Sequence, residues 1–283
     1  MSYHGTVPWY QLVECAVAPY GFVFYYGVKV LNLVLGTPSN ISVIWQIASK
    51  KKDASTSDTF IFNLAMLDAF FCLMTPIDLV NNLLVHKYHI WYLIRFAYGM
   101  KDLAPLFLVC ICLDRYMAVV HPVQFSGIRD NSIRLGTSGL VWIPILAFGL
   151  TKSILGHSSV ANIIFSSVIL FAFAVMLFCN ISIIWALRRS VRGKETMHPV
   201  KKKAFKMVLI NLAIIVVNYL PPVALLPFAS YYSFVAFNCK IKPSVFAIMD
   251  LSCSIEPLLY ISKMEHMDFC QHCFSKTHNT AST

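Results

Sequence analysis

The stretch Val160–Leu187, VANIIFSSVILFAFAVMLFCNISIIWAL, contains no Asp, Glu, Lys, Arg or His. A helix crossing the hydrocarbon core of a bilayer needs about 20 consecutive, mostly apolar residues, and this run exceeds that without a charge. Working outward from it, six more runs of the same kind appear: Tyr20–Ser49, Thr59–Val85, Trp91–Val120, Leu135–Thr151, Ala204–Ser230 and Ile241–Ser262. Nothing repeats at a fixed period. The reading is an all-α bundle of seven transmembrane helices over residues 20–262. An N-terminal tail, residues 1–19, precedes it. Residues 263–283 follow, opening with a short amphipathic eighth helix, Lys263–Phe274, that lies in the membrane interface.

Composition agrees. Of 283 residues, 58% are apolar and 13% charged, where a soluble domain carries about 25% charged residues. That excludes a soluble enzyme, a disordered chain and a small disulfide scaffold. The net charge of +10 would suggest nucleic acid in a soluble protein; in a chain this apolar it points to membrane lipid, and no nucleic-acid partner is expected. Nine Cys scattered through apolar runs fit no disulfide framework. The N-terminus has no basic region or cleavage site ahead of the first apolar run, so no removable signal peptide is expected. The first, third and fifth connections and the C-terminal tail hold fifteen of the 23 Lys and Arg, and the other side holds five. Basic loops face the cytoplasm, so the N-terminus is expected outside, in a multi-pass plasma-membrane protein.

A charge inside hydrocarbon costs at least about 2.5–3.5 kcal/mol, which makes intramembrane charges functional candidates. Here they are Asp68, Asp78, Lys101, Asp102, Asp114, Arg115, Asp250 and Glu256, with the amides Asn40, Asn63 and Asn211 beside them. At the cytoplasmic end of the third span, Asp114-Arg115-Tyr116 suits a two-state latch. Arg115 can pair with Asp114 or reach another helix, although a snorkelling Arg at a helix end has the same sequence.

The run Leu113-Asp114-Arg115-Tyr116-Met117-Ala118-Val119-Val120-His121-Pro122 resembles the third-helix signature of rhodopsin-like (class A) G-protein-coupled receptors. Asn40 in the first span, Asn63-Leu64-Ala65-Met66-Leu67-Asp68 in the second, Trp142 in the fourth, Pro221 in the sixth and Glu256-Pro257-Leu258-Leu259-Tyr260 in the seventh are similar to that family's other motifs. The style is nearest to the branch of nucleotide, protease-activated and hydroxycarboxylic-acid receptors. The resemblance implies a receptor, not an enzyme, for an extracellular ligand and a heterotrimeric G protein. Its switch would use Asp114, Arg115, Tyr116, Pro221, Pro257 and Tyr260. It also implies a pocket for sodium or protons near Asp68, formed with Asn40, Ser252 and Glu256; no other cofactor and no structural metal is expected. Two carboxylates facing each other in low dielectric cannot both stay ionised without a cation.

Several positions depart from the family. The cysteine that usually opens the third helix falls near Ile90, and the second outer loop, near Lys152–Ser159, has none. The related branch implies another bridge, Cys15 to Cys239. The sixth-helix pair before the proline is Asn218-Tyr219, the fifth-helix proline and tyrosine appear as Ala172 and Asn180, and Pro105 intrudes in the third span. An amine or retinal ligand is disfavoured, because the family positions that bind them fall near Ala97 and Asp250. An acidic small molecule, a lipid or a peptide is expected. Lys101 is its anchor in one reading and the buried counter-ion of Asp250 or Asp78 in the other; Tyr98, Asn81, Tyr219 and Asp250 would line the same cavity. Cys270 and Cys273 are palmitoylation candidates; zinc through His266, Cys270, His272 and Cys273 fits no standard spacing. A transporter relaying protons through intramembrane carboxylates is the alternative function, though it predicts repeat symmetry between halves that the sequence lacks.

Overall fold

The computed structural model describes residues 15, 19–49, 57–127, 130–156, 158–192 and 208–262. The expected eighth helix, the candidate sites Cys270 and Cys273, and the His266–Cys273 cluster lie outside them. Seven helices are long and apolar enough to cross a membrane: Tyr20–Ser49, Asp58–Val85, Tyr88–Val120, Ser132–Leu155, Ser159–Ala186, Val208–Tyr231 and Val235–Ser262. They are called helix one to helix seven below. No strand occurs among the described residues. Helix is the form a lone span must take, because hydrocarbon offers no partner for a free N–H or C=O.

Helix five shows how the pattern sorts its faces. Phe165, Ile169, Ala172, Met176, Cys179 and Ile183 recur at three- and four-residue steps and are buried. Phe171, Phe178 and Trp185, seven apart, are each more than half exposed. Large apolar side chains on the outside are wrong for water and right for acyl chains. The buried face meets the second half of helix three, where Phe107, Leu108 and Ile111 form the centre of the core. The first half of helix three packs on helix four. Gly99 and Gly149 meet at that crossing: a Cβ on Gly99 would stand 2.8 Å from the Gly149 Cα, so only glycine lets these backbones touch.

Helices four and seven extend beyond the sequence reading. Helix four begins before Leu135 and runs past Thr151 to Leu155. Its polar first turn is helical because the Asp130 carboxylate accepts the Ser132 N–H at 3.1 Å and Arg134 is buried against Asp114. Its end carries Lys152, which hydropathy assigns to the following loop. That loop shrinks to residues 156–158, closed by Gly156 at φ 62°. Helix seven starts at Val235, six residues before the expected Ile241, in a wide π-type stretch over Val235–Ile241.

Prolines explain three of the four wide turns among the described residues. Pro38, Pro221, Pro222 and Pro243 each deny an N–H to a carbonyl one turn earlier. Wide turns sit just ahead of them, at Asn32–Gly36, Ile215–Tyr219 and Val235–Ile241. Helix three is interrupted too: its first segment ends at Asp102, and Pro105 opens the second after a turn at Leu103-Ala104.

Candidate functional site

The bundle is most polar where it is most enclosed. Three lysines lie buried with three aspartates in the half nearer Cys239. Lys29 of helix one meets Asp78 of helix two at 2.5 Å and also Tyr98, whose hydroxyl donates to Asp78 at 2.6 Å. Lys101 of helix three meets Asp68 of helix two at 2.7 Å. Lys152 of helix four meets Asp102 of helix three. In low dielectric each charge is tolerable only through its partner. These bonds tie helix one to two, two to three and three to four.

Lys101 therefore differs from both expected counter-ion pairings. Its partner is Asp68, not Asp250 or Asp78, because Lys29 already holds Asp78. The residue is inaccessible, at 0% exposure. The second oxygen of Asp68 and both oxygens of Glu256 are buried with no donor from another side chain or the backbone, and the two carboxyl groups lie within reach of each other. The Lys101 and Asp68 charges both bear on Glu256.

Asn40 and Ser252 join this centre differently from the expected cage. Pro257 frees the Cys253 carbonyl, and the Asn40 amide donates to it at 2.8 Å. The Ser252 hydroxyl pairs with the Tyr219 hydroxyl at 3.2 Å, which leaves Tyr219 wholly buried. Of the groups that the resemblance implies for a sodium ion, three carboxylate oxygens of Asp68 and Glu256 are open and the rest are engaged. One Asp68 oxygen is held by an ammonium, and the amide and hydroxyl are committed elsewhere. The cation of this centre is the Lys101 side chain.

At the opposite mouth the Asp114-Arg115-Tyr116 run ends helix three. Asp114 accepts the Ser57 hydroxyl at 2.6 Å and Arg134 Nε at 3.4 Å. Asp58 of helix two accepts the Tyr260 hydroxyl of helix seven at 3.3 Å. Arg115 sits in the field of Asp114, Asp58 and Tyr260. The Tyr116 hydroxyl pairs with His121 at 3.2 Å. Asn180, where the family has tyrosine, turns its amide to the Met176 carbonyl of its own helix at 2.9 Å. Trp142 donates to Asn63 at 2.8 Å, fastening helix four to helix two.

The remaining candidates scatter around the other mouth. Asn81 accepts the Lys87 N–H at 2.9 Å. The Asp250 carbonyl accepts the Asn32 amide at 2.7 Å, and its side chain is buried in the field of Lys29 and Lys101. Cys15 and Cys239 form a disulfide with Cα atoms 5.3 Å apart. Gly21 makes room for it, since a Cβ there would collide with the Cys239 carbonyl. Lys29, Lys152, Arg134 and Asp58 were not singled out from sequence. Lys29 had a visible signal, a lysine inside an apolar span; Arg134 and Lys152 sat at span edges that hydropathy places in loops.

Seven membrane-crossing helices, pinned by buried ion pairs in one half and by a polar cluster around an Asp-Arg-Tyr at the other mouth, define a transmembrane receptor. The chain belongs to the seven-transmembrane receptor (rhodopsin) family, which it matches over residues 39–260. It is 25% identical to lysophosphatidic acid receptor 4 of Mus musculus over 87% of this chain and 75% of that one. It is 29% identical to proteinase-activated receptor 3 of Homo sapiens, over 45% of this chain and 35% of that receptor. To a purinoceptor of Mus musculus it is 25% identical, over 74% of this chain and 63% of that one. The protein is thus a multi-pass, ligand-binding G-protein-coupled receptor and not an enzyme. The transporter alternative finds no support.

Proposed function

We propose that this receptor lies in the plasma membrane with its N-terminus outside. It binds an acidic ligand among the outer ends of its helices and opens the Arg115 mouth to a heterotrimeric G protein. The excess of Lys and Arg on one side of the spans supports the orientation. Helices six and seven pivot at Pro221 and Pro257, where a missing hydrogen bond makes bending cheap. Asp114, Arg115, Tyr116 and Tyr260 form the latch. The single observation that carries this reading is the polar cluster at that mouth. Ser57 and Arg134 hold Asp114, and Tyr260 bonds Asp58 beside them, so the ends of helices two, three, four and seven are held by exchangeable bonds. A ligand moves such a balance only through its different affinity for the two packings.

The test is a cell-based G-protein assay of wild type against Arg115→Ala. Loss of basal and ligand-driven signal in the variant, at equal surface expression, is expected. Equal signals in both would remove Arg115 from the mechanism.

A further inference from the structure

From Met207 to Cys239 the chain has no Asp, Glu, Lys, Arg or His. This run holds helix six from Val208, the turn after it and the start of helix seven. Turns that stand in water are normally polar, and the turn between helices two and three, at the same mouth, carries His86 and Lys87. The turn between helices six and seven reads Pro227-Phe228-Ala229-Ser230-Tyr231-Tyr232-Ser233-Phe234-Val235. Every residue of it except the half-buried Ala229 is exposed. Tyr231 is 82% exposed and Phe228 55%. The narrow helical segment Leu226–Tyr231 that opens it buries no residue. Phe228 and Tyr231 pair with each other, ring centroids 6.0 Å apart, and Tyr232 stacks at 6.3 Å on Phe237, the first buried ring of helix seven.

Two further observations say what covers these rings. The first is the backbone. The Tyr232 N–H donates to the Ala229 carbonyl at 3.4 Å, the Phe237 N–H to the Ser233 carbonyl at 2.9 Å and the Ala236 N–H to the Ser233 hydroxyl at 3.3 Å. A turn close to hydrocarbon has to supply such partners from its own chain. The second is depth. Leu209 and Phe228 are both exposed on helix six. At 1.5 Å per residue they are separated by about 28 Å along the axis, close to the roughly 30 Å of a hydrocarbon core. Tyr231 and Tyr232 follow within a turn, at the depth of the headgroups. Rings with an apolar body and one polar tip collect there.

We propose that the turn between helices six and seven docks into the lipid interface at the Cys239 mouth and does not stand in water. Phe228 and Phe234 enter the top of the acyl layer, and Tyr231 and Tyr232 sit among the headgroups. The bilayer is the partner these residues fit, because the turn has no charge with which to steer or orient a water-borne protein. The inference goes beyond the receptor reading and rests only on the seven spans. It has a mechanical consequence. Helix six past Pro221 is held at its far end by lipid, and the start of helix seven is held by the Cys15–Cys239 bridge. A bend at Pro221 therefore moves the end of helix six that begins at Val208.

The test uses purified full-length receptor, one copy per nanodisc, with a tryptophan reporter read as the difference from wild-type emission. Phosphatidylcholine brominated near the top of its chains quenches from the lipid side, and iodide quenches from the water side. Tyr231→Trp and Phe234→Trp each exchange one exposed ring for another, which leaves the fold intact. Both reporters are expected to lose most of their added emission in brominated discs and little to iodide. Lys87→Trp, in the exposed turn between helices two and three, is expected to show the reverse. Iodide quenching of the two reporters equal to that of Lys87→Trp would overturn the proposal, since the turn would then stand in water. Quenching by neither agent would also overturn it, because protein would then cover the turn. In discs loaded with two receptors the lipid quenching is expected to be unchanged; its loss would make a second copy the occupant and overturn the proposal too. No step uses a ligand or a G protein, so failure here leaves the receptor reading standing.

Discussion

Lys101 has no exposed surface and one carboxylate partner, Asp68, at 2.7 Å. Removing either member alone leaves the other charged in an apolar bundle, at a cost of about 3–5 kcal/mol. Lys101→Ala is therefore expected to lower the melting temperature of purified receptor sharply and to reduce surface expression. The double variant Lys101→Ala/Asp68→Asn is expected to recover most of that loss. A single variant as stable as wild type would mean that the pair is not formed. Sequence could show that Lys101 was buried and needed an anion. It pointed to Asp250 or Asp78 and missed Asp68, because the choice depends on Lys29 having taken Asp78. Asn40 and Pro257 were legible as separate motifs. Their shared purpose, a proline-freed carbonyl capped by an amide from another helix, needs three dimensions.

Helices are where the sequence spoke most clearly. Seven runs of apolar residues became seven spans, and helix one has the same ends, Tyr20 and Ser49, in both readings. The two misplaced ends of helix four share one cause: a polar residue at a span edge scores as loop until its partner is known, as with Arg134 and Asp114 or Lys152 and Asp102. Two predictions belong to this scale. Pro221→Ala restores the N–H that helix six lacks and stiffens it beside the wide turn Ile215–Tyr219. Signalling is expected to fall with ligand affinity little changed, as measured by paired binding and G-protein assays. Cys15→Ser unties the N-terminal segment from helix seven, and a bridge closing so long a loop contributes about 2–5 kcal/mol. Thermal unfolding should shift down by a corresponding amount, and Cys239→Ser should match it. Unequal effects would mean that one cysteine has another role.

Across the whole molecule, charge is arranged in two tiers joined by helix three. Lys152–Asp102 and Lys101–Asp68 come from adjacent residues of that helix, just above its break. The cluster around Asp114 closes its other end. The two tiers are biased together if helix three or its neighbours have two packings, and a packed core favours discrete packings over gradual ones. The family motifs made the tier around Asp114 legible. The tier nearer Cys239 was hidden, because Lys29 and Lys152 belong to no motif and their meaning lies in who faces whom.

The most direct test of this account is the distance between the ends of helices four and six at the Asp114 mouth. Spin labels at Ile133 and Leu209, both exposed, would report it by pulsed electron resonance in nanodiscs, with and without heterotrimeric G protein. A second, longer population that grows on adding G protein and vanishes in Arg115→Ala is expected. One unchanged distance under all conditions would contradict the two-packing receptor described here.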